Sequence, residues 1–173
     1  MELRGGVKTL RAKTRKQWRN WLEKNCGKER SVWLIIYKKD SGIPSVYYPE
    51  AVDEALCYGW IDSKINKRDE FSYFQYFAKR SPISNWSKVN KDKVKMLLEK
   101  GLMAGPGLEM IELAKKKGNW YALEEVDNLV IPAEMQKAFM KNKKAFDYWD
   151  RFPRSAKRGI LEWIKNAKRT ETR

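Results

Sequence analysis

The sequence contains no histidine. Without an imidazole, Ser-His-Asp and Cys-His catalysis are excluded, and so is any zinc or iron site that histidine would hold. Cysteine is nearly as scarce: Cys26 and Cys57 stand far apart and fit neither a redox pair nor a metal-ligand spacing. Glycine is not arranged for phosphate binding, because Gly101, Gly105 and Gly107 lack the strand–turn–helix setting and the lysine–serine signature of a phosphate loop. No EF-hand loop is present. No apolar run approaches the roughly eighteen residues that a membrane-crossing helix needs. The opening residues, Met1-Glu2-Leu3-Arg4-Gly5-Gly6, carry no hydrophobic segment of the kind a secretion signal requires. The expectation is a soluble, cytoplasmic chain with reduced thiols, no catalytic residues, no bound metal and no cofactor.

What the chain does have is positive charge and aromatic bulk. Lys and Arg number 37 against 22 Asp and Glu, a net of +15. The excess sits at the ends: residues 1–31 carry 10 basic and 3 acidic side chains, residues 32–131 carry 15 and 14, and residues 132–173 carry 12 and 5. That distribution favours polyanions, whether nucleic acid or an anionic membrane surface, reached through the basic termini. The plainer reading of the same charge is solubility. Hydrophobic residues make up 42% of the chain and aromatics 13%, with eight tryptophans, enough apolar surface for a proper core. Each buried indole wants a partner for its N–H, so aromatic-to-polar contacts are expected there.

Residues 1–13 read as a loose basic arm. Thr14, with Gln17 three residues on, is placed to cap a first helix whose inner face is Trp18, Trp21 and Leu22. Ser31–Lys38 is a β-branched and aromatic run that reads as a buried central strand. Pro49 opens a second helix with Glu50, Asp53 and Glu54 near its start, and Gly59 ends it. Residues 60–65 and 71–78 read as an antiparallel hairpin. Two helices follow, one with Trp86, Val89, Val94, Leu97 and Leu98 as its stripe, the other with Leu108, Ile111 and Ala114 inward. Residues 119–131 are acidic and read as a linker. Beyond them come short helices bearing Met135, Ala138 and Phe139, then Phe146 and Trp149, then Ile160, Trp163, Ile164 and Ala167. The expected fold is α+β: a small antiparallel sheet from 31–38, 60–65 and 71–78 packed by helices, in a mixed domain over 14–122. A helical subdomain follows over 128–173.

Two stretches carry a family resemblance. One is Tyr48-Pro49-Glu50-Ala51-Val52-Asp53-Glu54-Ala55-Leu56-Cys57-Tyr58-Gly59-Trp60-Ile61-Asp62, followed by Arg80-Ser81-Pro82-Ile83-Ser84-Asn85-Trp86. The other is Phe152-Pro153-Arg154-Ser155-Ala156-Lys157-Arg158, continuing through Trp163-Ile164-Lys165 to Arg173. With Gly101-Leu102-Met103 and Gly118-Asn119-Trp120, the chain after residue 14 resembles the YdeI/OmpD-associated, or bacteriocin-protection, family. The resemblance implies a cytosolic bacterial protein with a mixed N-terminal part, a helical C-terminal part and a role in stress protection. It brings no catalytic residues. Members of that family usually continue into a further basic helix, whereas this sequence stops at Arg173.

Two constellations are candidates for binding. Glu50, Asp53 and Glu54 lie on adjoining faces of one helix, with Trp60 and Asp62 just beyond it; convergence with Arg80 or Lys39 would make a polar pocket or a carboxylate site. Ordinary complementation of the helix dipole accounts for the same acids. Cys57 reads as a small core residue, since no base is available to make it a nucleophile. The strand Phe71–Phe77 alternates Phe71, Tyr73, Gln75 and Phe77 on one face with Phe74 and Tyr76 on the other. With Lys64, Lys67, Arg68, Lys79 and Arg80 around it, the first face suits stacking of single-stranded bases, or else it is core under helices. The leading expectation is a non-enzymatic binding or stress-protection protein with an unidentified ligand or protein partner. The alternatives are a nucleic-acid-binding module and an enzyme with a carboxylate site at Glu50, Asp53, Glu54 and Asp62. A cationic peptide suits a chain of charge +15 poorly, because like charges repel.

Overall fold

A computed structural model describes residues 2–167 and 169. The N-terminal segment is not a loose arm. Strands β1 (Leu3–Arg4) and β2 (Val7–Arg11) pair antiparallel, with Arg4 opposite Val7. The two residues between them, Gly5 and Gly6, have φ of +56° and +78°. A two-residue hairpin turn with positive φ at both positions matches strand twist and is cheapest for a Gly-Gly pair. That dipeptide was the turn signal in a segment whose strands are otherwise too short to show a period.

Thr14 then caps α1 (Arg15–Asn25): its hydroxyl accepts from the Gln17 N–H at 3.2 Å, while the Gln17 side chain accepts from the Lys13 N–H at 2.8 Å. Trp18 and Leu22, one turn apart, are fully buried. β3 (Ser31–Tyr37) lies parallel to β2, with Trp33 opposite Thr9 and Ile35 opposite Arg11. The sheet is therefore mixed, with α1 as the crossover that a parallel pair requires. The hairpin of β4 (Trp60–Lys67) and β5 (Ser72–Lys79) completes a five-stranded sheet of order β1-β2-β3-β5-β4. β5 is antiparallel to both of its neighbours.

Between β3 and β4 the chain runs through α2 (Tyr48–Cys57), in which every residue from Ala51 to Cys57 is buried. α1 packs on it, as do α3 (Lys88–Glu99) and α4 (Gly105–Lys116). These helices and the inward residues of the sheet (Val32, Leu34, Ile36, Phe77) form the main core, with Trp18, Trp60 and Trp86 among its largest members. α4 enters through a very close approach. The Ala104 N–H donates to the Cys57 carbonyl at 3.1 Å, and Gly107 lies where an added Cβ would sit 2.2 Å from that same oxygen. Gly107, Ile111 and Ala114 make the inner face of α4, so Leu108, expected inside, is exposed.

The chain divides into two compact units, Met1–Trp120 and Tyr121–Arg173. Among the described residues the elements of the second are all helices: α5 (Glu124–Asp127), α6 (Ala133–Lys141), α7 (Lys143–Arg151) and α8 (Arg154–Asn166). The acidic segment 119–131, read as a linker, contributes α5 and two core residues, Leu123 and Val126, which pack with Trp149 and Leu161. Their apolar spacing is masked in sequence by the acids between them. On α8 the buried residue is Leu161, while Trp163 is 61% exposed. Of the C-terminal stretch that carries the resemblance, Lys168 and residues 170–173 lie outside the described residues. Asp127 accepts from Arg158 at 2.8 Å and Glu125 from Lys165 at 2.7 Å, tying α8 to α5.

Candidate binding face

Helices cover one face of the sheet. The other carries a cluster made entirely of strand residues: Trp33, Ile35 and Phe74 buried, with Val7, Tyr37 and Tyr76 packed against them. Register dictates the grouping, since directly opposed residues project to the same side. Trp33 stands opposite Tyr76, Ile35 opposite Phe74, and Ile35 opposite Arg11 on the other neighbour. The Trp33 ring meets Tyr76 edge-on at 4.8 Å and Phe74 at 6.1 Å.

Cations lie over these rings. The Arg4 guanidinium is 4.4 Å from the Phe74 ring centre and 5.5 Å from that of Trp33. Arg11 stands 4.9 Å from Tyr37, and Lys64 5.9 Å from Tyr76. Arg68 lies 5.9 Å from both Tyr37 and Phe74 and donates to the Tyr37 hydroxyl at 3.2 Å. Arg68 also pairs with Asp69 at 3.2 Å, but Arg4, Arg11 and Lys64 have no carboxylate partner among the described residues. Arg4, Gly5, Val7, Trp33, Lys64 and Tyr76 line a groove of about 440 Å³ that crosses this face from β1 to β4. That volume lies within the usual range for small-ligand clefts.

The aromatic strand was legible, but its open face is the one opposite to that expected for stacking. Tyr73 and Phe77 turn toward the helices, and burial raises the Tyr73 hydroxyl above its ordinary pKa. Gln75 is also buried, donating to the Lys64 carbonyl at 3.2 Å. Phe71 precedes β5 in the turn and is exposed. Lys64 and Arg68 reach the open face. Lys67 pairs in register with Tyr73, so it leaves from the other side, and Lys79 lies at the far end of β5, near the Gly27 carbonyl. Arg4, Arg11 and Trp33 were missed. The first two lay in the supposed arm, and Trp33 lay in a run whose apolar continuity implied helices on both sides.

The acidic constellation does not converge. Glu50 accepts from the Tyr47 N–H at 3.3 Å, closing the start of α2. Glu54, buried to 2% exposure, accepts from Arg15 at 2.5 Å and Arg19 at 2.7 Å. Burial works to lower both guanidinium pKa values, and the hydrogen bonds and charge of Glu54 outweigh it and raise them. Asp53 pairs with Lys93 of α3 at 2.5 Å, and Asp62 accepts from the Tyr48 hydroxyl at 2.8 Å. Among the described residues, no group of three or more Asp, Glu or Cys side chains is placed to hold a metal ion. Burying a helix on all sides forces its carboxylates to find cations, and these come from α1 and α3, far away in sequence.

Arg80 is buried with its guanidinium on the face of Trp86, 3.9 Å from the ring centre, and donates to the Asn85 carbonyl. Burial pushes its pKa down to about 10, with Asp62 opposing. Its Nε and the indole Nε1 of Trp60 have no hydrogen-bond partner among the described residues. Cys57 is buried, and burial together with the charge of Glu54 pushes its thiol up to about 11, which makes it a core residue rather than a nucleophile. No helix among the described residues is long and apolar enough to cross a membrane.

Fold and site together define an α+β unit with one helix-covered and one cation-covered sheet face, joined to an all-helical unit. Residues 10–110, more than half of the chain, match a domain of unknown function (DUF8412), and the chain belongs to that family. Residues 128–173 match the family described as bacteriocin-protection, YdeI or OmpD-associated, so the resemblance seen in the sequence holds over the helical C-terminal part. The motif-bearing stretch Tyr48–Asp62 falls within the DUF8412 match. No curated protein and no solved structure matches the chain.

Proposed function

We propose that the protein is a non-enzymatic, cytoplasmic binding protein with a protective role, and that it takes an anionic ligand on the open face of its sheet. The observation that carries this reading is the layer of Arg4, Arg11 and Arg68 over Tyr37 and Phe74. A cation resting on a ring gains about 0.5–1 kcal/mol at an exposed site, so these side chains are partly ordered before any ligand arrives. Less entropy is then lost on binding. The protective role is supported by the C-terminal match alone. Capture of a cationic peptide by the acids of α2 finds no support, because Asp53 and Glu54 are already neutralised by Lys93, Arg15 and Arg19.

The test is binding of fluorescently labelled inorganic polyphosphate, followed by anisotropy over a salt series. Roughly three to four phosphate contacts, each releasing about 0.7 counterion from a single-stranded polyanion, give a slope of log K on log salt near −2 to −3. Arg4→Ala with Lys64→Ala should flatten that slope by about 1.4. Absence of salt-sensitive binding at low ionic strength, or an unchanged slope in the double variant, would overturn the reading.

A further inference from the structure

Resting on that reading, we infer that the anionic ligand of the open sheet face is single-stranded nucleic acid. An inorganic polyanion needs cations but has no use for rings, and here the cations are interleaved with rings. Tyr76 and Tyr37 are the partly buried aromatics of this face, whereas Trp33 and Phe74 are buried. The Arg4 guanidinium forms the lid over Trp33 and Phe74 and lines the groove of about 440 Å³ together with Lys64 and Tyr76. A guanidinium plane stacks on a base as an aromatic ring does, and it can bond a phosphate through its edge.

Placement distinguishes single strands from duplexes. Tyr76 lies in the middle of the sheet face, with Arg4 and Lys64 at the rim of the same groove and Arg11 and Arg68 at Tyr37, farther along the strands. A strand running along the sheet would meet a cation near each partly buried tyrosine, phosphates outward and bases inward. A duplex keeps its base faces stacked within itself and could use only the cations. The face has no row of side chains suited to reading base edges, so preference among sequences is expected to be weak.

The experiment titrates the full chain with four probes: a labelled oligo-uridine, a duplex of the same length, polyphosphate of matched charge, and anionic phosphatidylserine vesicles. The expected result is that the single strand binds at least tenfold more tightly than the other three. Tyr76→Ala should weaken the single strand roughly fivefold or more while barely changing polyphosphate, since stacking is worth about 1–3 kcal/mol per base. Tyr76→Phe, which keeps the ring, should bind as the parent does and guards against misfolding of the alanine variant. Lys95→Ala, on the exposed side of α3, removes a positive charge outside this face and should have little effect. Polyphosphate bound as tightly as the single strand, with Tyr76→Ala silent, would overturn this inference and leave the anion reading standing. Duplex or vesicle binding that equals or exceeds the single strand would overturn it likewise. If no probe binds at low salt, both readings fall.

Discussion

Gly107 offers the sharpest test of the packing. It lies in the first turn of α4, where propensity alone says that alanine should be better than glycine, by up to about 1 kcal/mol. The tertiary structure says the opposite. A methyl group there would sit 2.2 Å from the Cys57 carbonyl oxygen, 2.7 Å from its carbon and 2.8 Å from the Met103 methyl. Met103 can swing away, but the Cys57 backbone belongs to α2, which is packed on every side. Relief requires α4 to move off α2 by about an ångström, and overpacking of this kind costs about 1–3 kcal/mol. The same movement strains the bond from the Ala104 N–H to the Cys57 carbonyl, worth about 1 kcal/mol more. After the propensity gain, Gly107→Ala should destabilise the N-terminal unit by about 2 kcal/mol, lowering its melting temperature by about 8 °C. Gly105→Ala, two residues earlier on the same helix and with nothing within 4 Å of its Cβ, serves as the control and should be neutral or slightly stabilising. Urea unfolding followed by tryptophan fluorescence and by circular dichroism measures both. A Gly107→Ala protein as stable as the parent would refute the claimed contact between α2 and α4.

Other outcomes can be checked with similar economy. Cys57 should be inert in the folded protein: in a Cys26→Ser background, Ellman's reagent at pH 8 should report its thiol only after unfolding. Because folding raises that pKa from 9.0 to about 11, the proton is held more tightly in the native state. The thiol's contribution should therefore be constant below pH 9 and be lost between about pH 9 and 11, by up to roughly 2–3 kcal/mol, so that stability falls less steeply over that window in Cys57→Ala. Arg80→Lys keeps the charge but loses the planar stack on Trp86, and should cost about 1–2 kcal/mol in thermal or urea unfolding. Leu161→Ala opens a cavity at the centre of the second core, at about 2–4 kcal/mol. So small a helical unit has little stability to spare, so heating should show early loss of helical signal with the sheet intact.

The open sheet face gathers Arg4, Arg11, Lys64 and Arg68, four of the 37 basic side chains. Overall charge alone cannot separate solubility from binding. Arg4 and Arg11, held over aromatic rings and without carboxylate partners among the described residues, are a more specific feature than surface lysines scattered among acids. The orphan donors of Trp60 and Arg80 raise a separate point: each unmet buried N–H costs about 1–3 kcal/mol. Arg80 offsets part of that through Trp86, and the Trp60 ring lies edge-on to Trp21 at 5.7 Å.

Local physics determined much of what can be seen. The Thr14 cap, the apolar run of β3, the β4–β5 hairpin and most helices follow from capping chemistry and from the periods of apolar residues, which act over a few neighbours. The absence of histidine leaves this chain without an imidazole for acid–base or metal-ligand work. Tertiary structure decided the rest. Whether Tyr73 or Tyr76 faces outward depends on which side of the sheet the helices occupy, and alternation within a strand is blind to that choice. Whether Glu54 is a site or a buried ion pair depends on Arg15 and Arg19, which only the packing of α1 on α2 brings within reach. Two glycines and a few flanking residues made the first hairpin, too short for any period, and only pairing with β3 gave it a place. That pairing sets Arg4 and Arg11 over the aromatic face, because long-range strand register, unlike a helix cap, is written in no single stretch of the chain.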